Sequence, residues 1–154
     1  MNTSAIDVAL LRPLAVGVAL TSITIVIHAL AFASIVRFVR HETRLGHAGA
    51  GFWLNVAIIA GVVLATLAAH LTEITVWAIA ITLCGEFPHF ATAFYHSAMN
   101  YTSLGYGDLI MSPSWRLLGP LEAADGLLMF GVSTAMIFTI IQRLIQRRLP
   151  DLQN

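Results

Sequence analysis

The chain has 154 residues, of which 58% are hydrophobic and only 10% are charged. A soluble domain of this length could not hide so much apolar surface, so the composition predicts a protein that lies in a lipid bilayer. Its eight basic residues are all arginine and are balanced by eight acidic residues, so the absence of net positive charge argues against a nucleic-acid partner.

The first apolar stretch runs from Pro13 to Val36. Its length of about 24 residues exceeds the roughly 20 that a helix needs to cross the hydrocarbon. Pro13 suits the first turn of a helix, where no intrahelical hydrogen bond is lost. A polar segment that includes HETRLGHAGAG follows and is predicted to be a loop at 37–51. Residues 1–51 are therefore expected to form one membrane helix and one loop.

The second apolar stretch runs from Phe52 to about Cys84. Phe52 and Trp53 are typical of aromatic side chains at a membrane surface. A continuous helix of about 33 residues would be roughly 50 Å long, which is more than the hydrocarbon requires. Two alternatives follow: the helix projects beyond the bilayer, or it bends near His70 and Glu73.

The segment from Gly85 to Pro113 is too polar and too rich in glycine to be another span. Its first part, residues 88–100, can form about three helical turns. Its second part, residues 102–108, cannot be regular helix because two glycines flank a tyrosine. Irregular backbone at membrane depth is tolerated only where it is buried in protein or lines a water-filled path. The segment is therefore predicted to be re-entrant.

The third apolar stretch runs from about Trp115 to Ile145 and is followed by Pro150. With three spans, the 37–51 loop and the C-terminus lie on the same side. That side holds six of the eight arginines, which predicts that it is cytoplasmic and that the N-terminus is outside. The six are Arg37, Arg40, Arg44, Arg143, Arg147 and Arg148.

The irregular part of the re-entrant segment reads TSLGYGD at residues 102–108. It resembles the signature TTVGYGD of bacterial potassium channels, in which four strands around an axis replace the hydration shell of K⁺ with backbone carbonyl oxygens. Gly105 and Gly107 suit the dihedral angles that this arrangement requires. The residues expected to form the ion-binding filter are Ser103, Leu104, Gly105, Tyr106 and Gly107, with K⁺ at the first four. The expected supporting residues are Thr102, Asp108, Tyr95 and His96.

The resemblance covers roughly residues 87–142 and implies an all-α membrane protein. Three transmembrane helices, a re-entrant pore helix and a filter loop would assemble as a homotetramer around a central pore in the cytoplasmic membrane. Its partners would be three identical subunits, membrane lipid and K⁺ ions, and it would need no cofactor beyond bound K⁺. The pore domain, residues 52–148, would contain an outer helix at 52–84, a pore helix at 88–100, the filter at 102–108 and an inner helix at 115–147.

Three departures from the family's pattern are visible, two of them in the signature. Ser103 replaces the usual threonine, and Leu104 replaces valine or isoleucine. Met99 stands where some bacterial channels have a glutamate that pairs with the filter aspartate, so gating that depends on that pair is expected to be absent.

Two carboxylates and two glycines lie in the predicted inner helix. Glu122 and Asp125 share a face. They either raise the cation concentration in a cavity below the filter or accept hydrogen bonds behind the pore helix. Gly126 falls at the position of a gating hinge in the family, with Gly131 as a second candidate, although close helix packing is an alternative use of such a residue.

His70 and Glu73 also share a helix face. We expect a buried structural pair, with a pH-sensing role for His70 as the alternative. His28 stands alone in the first span and is expected to bond a neighbouring helix.

Other classes of protein are less consistent with the sequence. A membrane metalloenzyme would need clustered ligands, and the histidines show no HxxxH or HExxH pattern. A non-selective cation channel of the same fold and a non-conducting accessory subunit remain as alternatives.

Overall fold

The structure, a computed structural model, describes residues 3–148, and side chains between residues 10 and 146. Within the described residues all regular secondary structure is helical, as predicted. The four helices are α1 (Thr3–Arg44), α2 (Phe52–Leu83), α3 (Phe90–Tyr101) and α4 (Leu118–Arg148). Three of them, α1, α2 and α4, are long and apolar enough to cross a membrane, which confirms the three predicted spans.

The first helix is longer than predicted at both ends. Pro13 lies inside it and not in its first turn, a placement that membrane helices tolerate because neighbouring groups satisfy the freed carbonyl. At the other end α1 continues to Arg44, whose charge suits a helix C-terminus. The predicted loop at 37–51 therefore shrinks to residues 45–51.

The second helix is uninterrupted from Phe52 to Leu83, so the continuous alternative is the one observed. Two residues beyond its end lies Gly85, whose φ of +77° is in the left-handed region that favours glycine. The amide of Gly85 donates to the carbonyl of Thr82 at 3.0 Å, and the amide of Glu86 donates to that of Ile81 at 3.4 Å. This pair of bonds satisfies the last carbonyls of the helix and turns the chain sharply.

The helices α3 and α4 begin later than predicted. α3 begins at Phe90 because His89 has extended backbone angles, φ −121° and ψ 131°. α4 begins at Leu118 and not at Trp115, since residues 113–117 form turns. The late start places Pro120 in the first turn of α4, where its missing N–H is not needed.

The four helices pack around one another within a single chain. α1 contacts α2 and α4, and α3 contacts the same two helices. Trp77, Tyr101 and Leu118, from three different helices, are fully buried where α2, α3 and α4 meet. Burying large aromatic and aliphatic side chains of this kind stabilises a fold by roughly 1.5–3 kcal/mol each in water. In lipid, such side chains stabilise it through close packing. The segment between α3 and α4 is thereby held at the end of a rigid core.

Candidate functional site

The segment after α3 has an unusual backbone. Its φ values are +57° at Ser103, +53° at Gly105 and +74° at Gly107, whereas Leu104 and Tyr106 are not in the positive region. When positive and negative φ values alternate along a strand, successive N–H groups can point to one side and the carbonyl groups to the other. Two of the three left-handed positions are glycines, which adopt that conformation without steric cost.

The amides that begin this segment are bound to the end of α3. The N–H of Ser103 donates to the carbonyl of Asn100 at 2.8 Å. The carbonyl of Met99 accepts from the N–H groups of Leu104 at 3.0 Å and Gly105 at 3.2 Å. Among the described residues, none donates a hydrogen bond to a carbonyl of 103–107, and all five residues are exposed in the single chain. A row of carbonyl oxygens therefore remains available to a ligand.

The far end of the segment, at Asp108, is also bonded to α3. The hydroxyl of Tyr95 donates to Oδ2 of Asp108 at 3.0 Å, and this hydrogen bond raises the pKa of the Tyr95 phenol. Thr102 donates its hydroxyl to the carbonyl of Ala98 at 2.7 Å. His96 packs against the ring of Phe87, with centroids 5.0 Å apart.

One carboxylate links the two ends of this region. Glu86 accepts from the backbone N–H and from the hydroxyl of Ser112, both at 2.6 Å. Glu86 precedes α3 and Ser112 precedes α4, so these two bonds close a loop that contains α3 and the filter segment. Sequence reasoning did not identify this pair, because residues 26 positions apart in an irregular segment carry no periodic signal.

A comparison with protein families shows which family the chain belongs to. A family model described as an ion channel matches residues 52–143, which is more than half of the chain. The chain belongs to the ion-channel family. No curated protein and no solved structure matches it. The match begins where α2 begins and ends within α4, so the N-terminal helix α1 of this ion channel lies outside the family's region. With three helices able to span a membrane, the channel is a multi-pass membrane protein.

The carboxylates of the fourth helix are enclosed within the channel subunit. Glu122 is 0% exposed and accepts a hydrogen bond from the hydroxyl of Ser97 on α3. Asp125 is 1% exposed, and its Oδ2 accepts from Thr24 at 2.8 Å and from the indole of Trp77 at 2.9 Å. Of the two alternatives for these residues, the geometry favours hydrogen-bond partners behind the pore helix over charges that line a cavity.

The two glycines of α4 have different surroundings. A Cβ at Gly126 would overlap the carbonyl of Tyr101, so the absence of a side chain lets α4 approach the end of α3 closely. Gly131 has open space around the corresponding position. The packing alternative for Gly126 is therefore supported, and a hinge at either glycine stays a prediction.

A second cluster of polar residues lies in the interior of the channel subunit. His28 of α1 bonds Glu73 of α2, as the expectation for an isolated histidine in a span suggests. His70, Tyr101 and Ser133 complete the cluster. The histidines looked scattered in the sequence because the two that meet here belong to different helices. Only their positions in apolar stretches could have indicated a shared site.

Proposed function

We propose that the chain is one subunit of a homotetrameric, potassium-selective channel in the cytoplasmic membrane. The observation that carries this proposal is the alternation of φ along residues 103–107, together with carbonyls that accept no hydrogen bond from any described residue. K⁺ prefers several oxygens at once, and a row of peptide carbonyls provides them without a charged side chain.

One such strand cannot surround an ion, and this argues for assembly. In the single chain Tyr106 is 69% exposed and Leu104 is 52% exposed. Side chains of this size are expected to pack against neighbouring subunits when carbonyls from four copies face a common axis. Ser103, Leu104, Gly105 and Tyr106 would then supply the ion sites, and the aromatic ring of Tyr106 would hold the strands apart.

The end of α3 supports a cation in the same place. Helix C-termini carry a partial negative charge, equivalent to roughly half an elementary charge. Two carbonyls of the last turn of α3, those of Met99 and Asn100, accept hydrogen bonds from the amides that begin the filter segment. Four helices arranged in this way would favour a cation at the inner end of the filter, and K⁺ would move from site to site by mutual repulsion.

The distribution of arginine supports the orientation. Four of the arginines, Arg37, Arg40, Arg44 and Arg143, lie at the ends of α1 and α4 that share one side of the membrane, whereas Arg12 and Arg116 lie at the opposite ends. The side chains of Arg147 and Arg148 lie outside the described residues. We infer that the shared side is cytoplasmic, and hence that the filter segment opens outward.

Ion flux from liposomes tests the function. Purified protein is reconstituted into vesicles loaded with K⁺, and K⁺ release is compared with that from protein-free vesicles. We expect rapid K⁺ release and slow Na⁺ release under the same conditions. Equal release of both ions would indicate a non-selective cation channel, and no release of either would indicate an accessory subunit that does not conduct.

A further inference from the structure

The buried polar cluster joins all four helices of the subunit. It contains His28 of α1, His70 and Glu73 of α2, Tyr101 of α3 and Ser133 of α4, and none of the five is more than 5% exposed. So many buried polar groups are costly in a membrane protein unless each finds a partner. Each of the five side chains therefore needs a hydrogen-bond partner or a bound ion.

The five side chains form a closed ring. Glu73 contacts Nδ1 of His28 at 2.9 Å and also contacts the hydroxyl of Tyr101. Tyr101 lies 3.1 Å from Nδ1 of His70. The hydroxyl of Ser133 closes the ring, since it lies 3.1 Å from Nε2 of both histidines.

The ring has one hydrogen atom too few for all of its contacts to be hydrogen bonds. Its five contacts need five hydrogens, whereas two neutral imidazoles and two hydroxyls carry four and an ionised carboxylate carries none. Every choice of tautomers leaves two lone pairs facing each other in one contact. One additional positive charge within the ring removes this conflict.

The donor atoms have the arrangement of a metal site. Nδ1 of His28, Nδ1 of His70 and a carboxylate oxygen of Glu73 all lie within 4.8 Å of one another. The two histidines lie 2.9 Å and 3.3 Å from the carboxylate oxygens. Ligand atoms around a tetrahedral Zn²⁺ lie roughly 3.3 Å apart, because each bond is about 2.0 Å long. Small adjustments of the side chains would bring these three atoms into that geometry.

The surrounding groups match those that support a metal. When each Nδ1 binds an ion, each Nε2 carries a hydrogen, and Ser133 offers two lone pairs to accept both. Tyr101 is then free to donate its hydrogen to Glu73. Ligating histidines and carboxylates in proteins are usually held by partners of this kind.

A second carboxylate is available near the cluster to balance the charge of a divalent ion. One carboxylate neutralises only half the charge of a divalent ion. Asp125, whose Oδ1 has no hydrogen-bond partner among the described residues, is bonded to Thr24 and Trp77. These two residues lie one helical turn from His28 and Glu73, respectively.

We propose that His28, His70 and Glu73 bind a divalent transition-metal ion of the Zn²⁺ class. Imidazole nitrogens with one carboxylate suit such ions better than Mg²⁺ or Ca²⁺, which prefer oxygen ligands alone. The ion links α1 to α2. Of these two helices, α1 lies outside the region matched by the ion-channel family. The site is thus a property of this chain's additional helix.

Metal content and metal spectroscopy test the proposal without any measurement of current. Because the ligands are enclosed, the ion must enter while the helices assemble, so cells are grown with added Zn²⁺ or Co²⁺. Purified channel is passed over a chelating resin, and the bound metal is measured by elemental analysis. We expect one ion per chain and, for the Co²⁺ form, the visible absorption of an ion held by three protein ligands.

Three variants and one control locate the ion. His28→Gln and Glu73→Gln remove a ligand each and are expected to lose the ion. Ser133→Ala removes the partner of both histidines and should weaken affinity for the metal about 10- to 100-fold. His47→Gln is the control, because His47 also contacts a glutamate, at 2.8 Å, but lies on the surface. It should retain the ion.

Two results would overturn the proposal. Wild-type channel that emerges from both media without metal would show that a proton, and not a metal, completes the ring. An ion retained by His28→Gln and Glu73→Gln would show that it binds elsewhere. If either ligand variant does not assemble, Ser133→Ala decides, since unchanged affinity in that variant contradicts the proposed geometry.

Discussion

The indole N–H of Trp77 donates a hydrogen bond of 2.9 Å to Oδ2 of Asp125, which joins α2 to α4 in the interior of the subunit. The same oxygen accepts from the hydroxyl of Thr24 at 2.8 Å, so one carboxylate oxygen holds three helices together. Because Trp77 is fully buried, no water can replace the carboxylate as its acceptor.

Replacing the carboxylate of Asp125 should lower the stability of the fold, and the loss should be larger when the new side chain has no acceptor. Asp125→Leu leaves the buried indole N–H of Trp77 without a partner, at a cost of about 1–3 kcal/mol. The hydroxyl of Thr24 can still donate to the carbonyl of Thr21, at 2.8 Å. We expect a clear fall in the thermal unfolding midpoint of the purified channel in detergent. Asp125→Asn keeps an acceptor oxygen and should fall much less. A large drop in single-channel conductance in Asp125→Asn would contradict the buried placement, because it would indicate a charge that faces the conduction path.

Gly105→Ala should abolish selective K⁺ flux while the protein still assembles. The φ of Gly105 is +53°, and a residue with a Cβ adopts that conformation at a cost of roughly 1–2 kcal/mol in each subunit. The strand is therefore expected to relax away from the proposed carbonyl alignment. The matched control is Gly51→Ala, because Gly51 has an extended φ of −179° and open space where a Cβ would lie. Normal flux in Gly105→Ala would argue against the proposed filter.

Gly126→Ala should destabilise the subunit by forcing α4 away from α3. The added methyl would meet the carbonyl of Tyr101, and overpacking of this kind typically costs about 1–3 kcal/mol. Gly131→Ala, in the same helix but with open space around it, should match or slightly exceed the wild type in thermal stability. Equal midpoints for the two variants would show that close packing is not the role of Gly126.

The bond between Tyr95 and Asp108 gives a prediction about pH. This bond raises the pKa of the Tyr95 phenol, so its stabilising contribution is complete below the pKa of a free tyrosine, about 10, and is lost as pH rises through the higher pKa of the folded state. Tyr95→Phe should therefore unfold at a lower temperature than the wild type at neutral pH. The difference should vanish in strongly alkaline solution, and a difference that grows there instead would contradict the assignment.

Much of the fold could be predicted from the sequence because lipid imposes strict demands on it. Apolar stretches long enough to span the hydrocarbon predicted three helices, and glycines around a tyrosine predicted irregular backbone at 102–108. The ends of the helices were less predictable. A helix that leaves the bilayer can continue for several turns, as α1 does to Arg44, and hydropathy does not record where it stops.

The contacts between helices could not be predicted from periodicity. His28 and Glu73 are 45 residues apart, and nothing in the sequence indicates which face of α1 meets α2. The hydrogen-bond role of Asp125 was one of two alternatives for the same reason. Buried polar residues in spans therefore signal that partners exist, whereas the fold alone identifies those partners.

The reversal potential of the purified protein in a planar bilayer tests the proposed selectivity most directly. With K⁺ on one side and an equal concentration of Na⁺ on the other, peptide oxygens from four subunits should pass K⁺ in strong preference. The current should then reverse at a voltage far from zero, on the side of the K⁺ equilibrium potential. A current that reverses at zero voltage under these conditions would contradict the central claim.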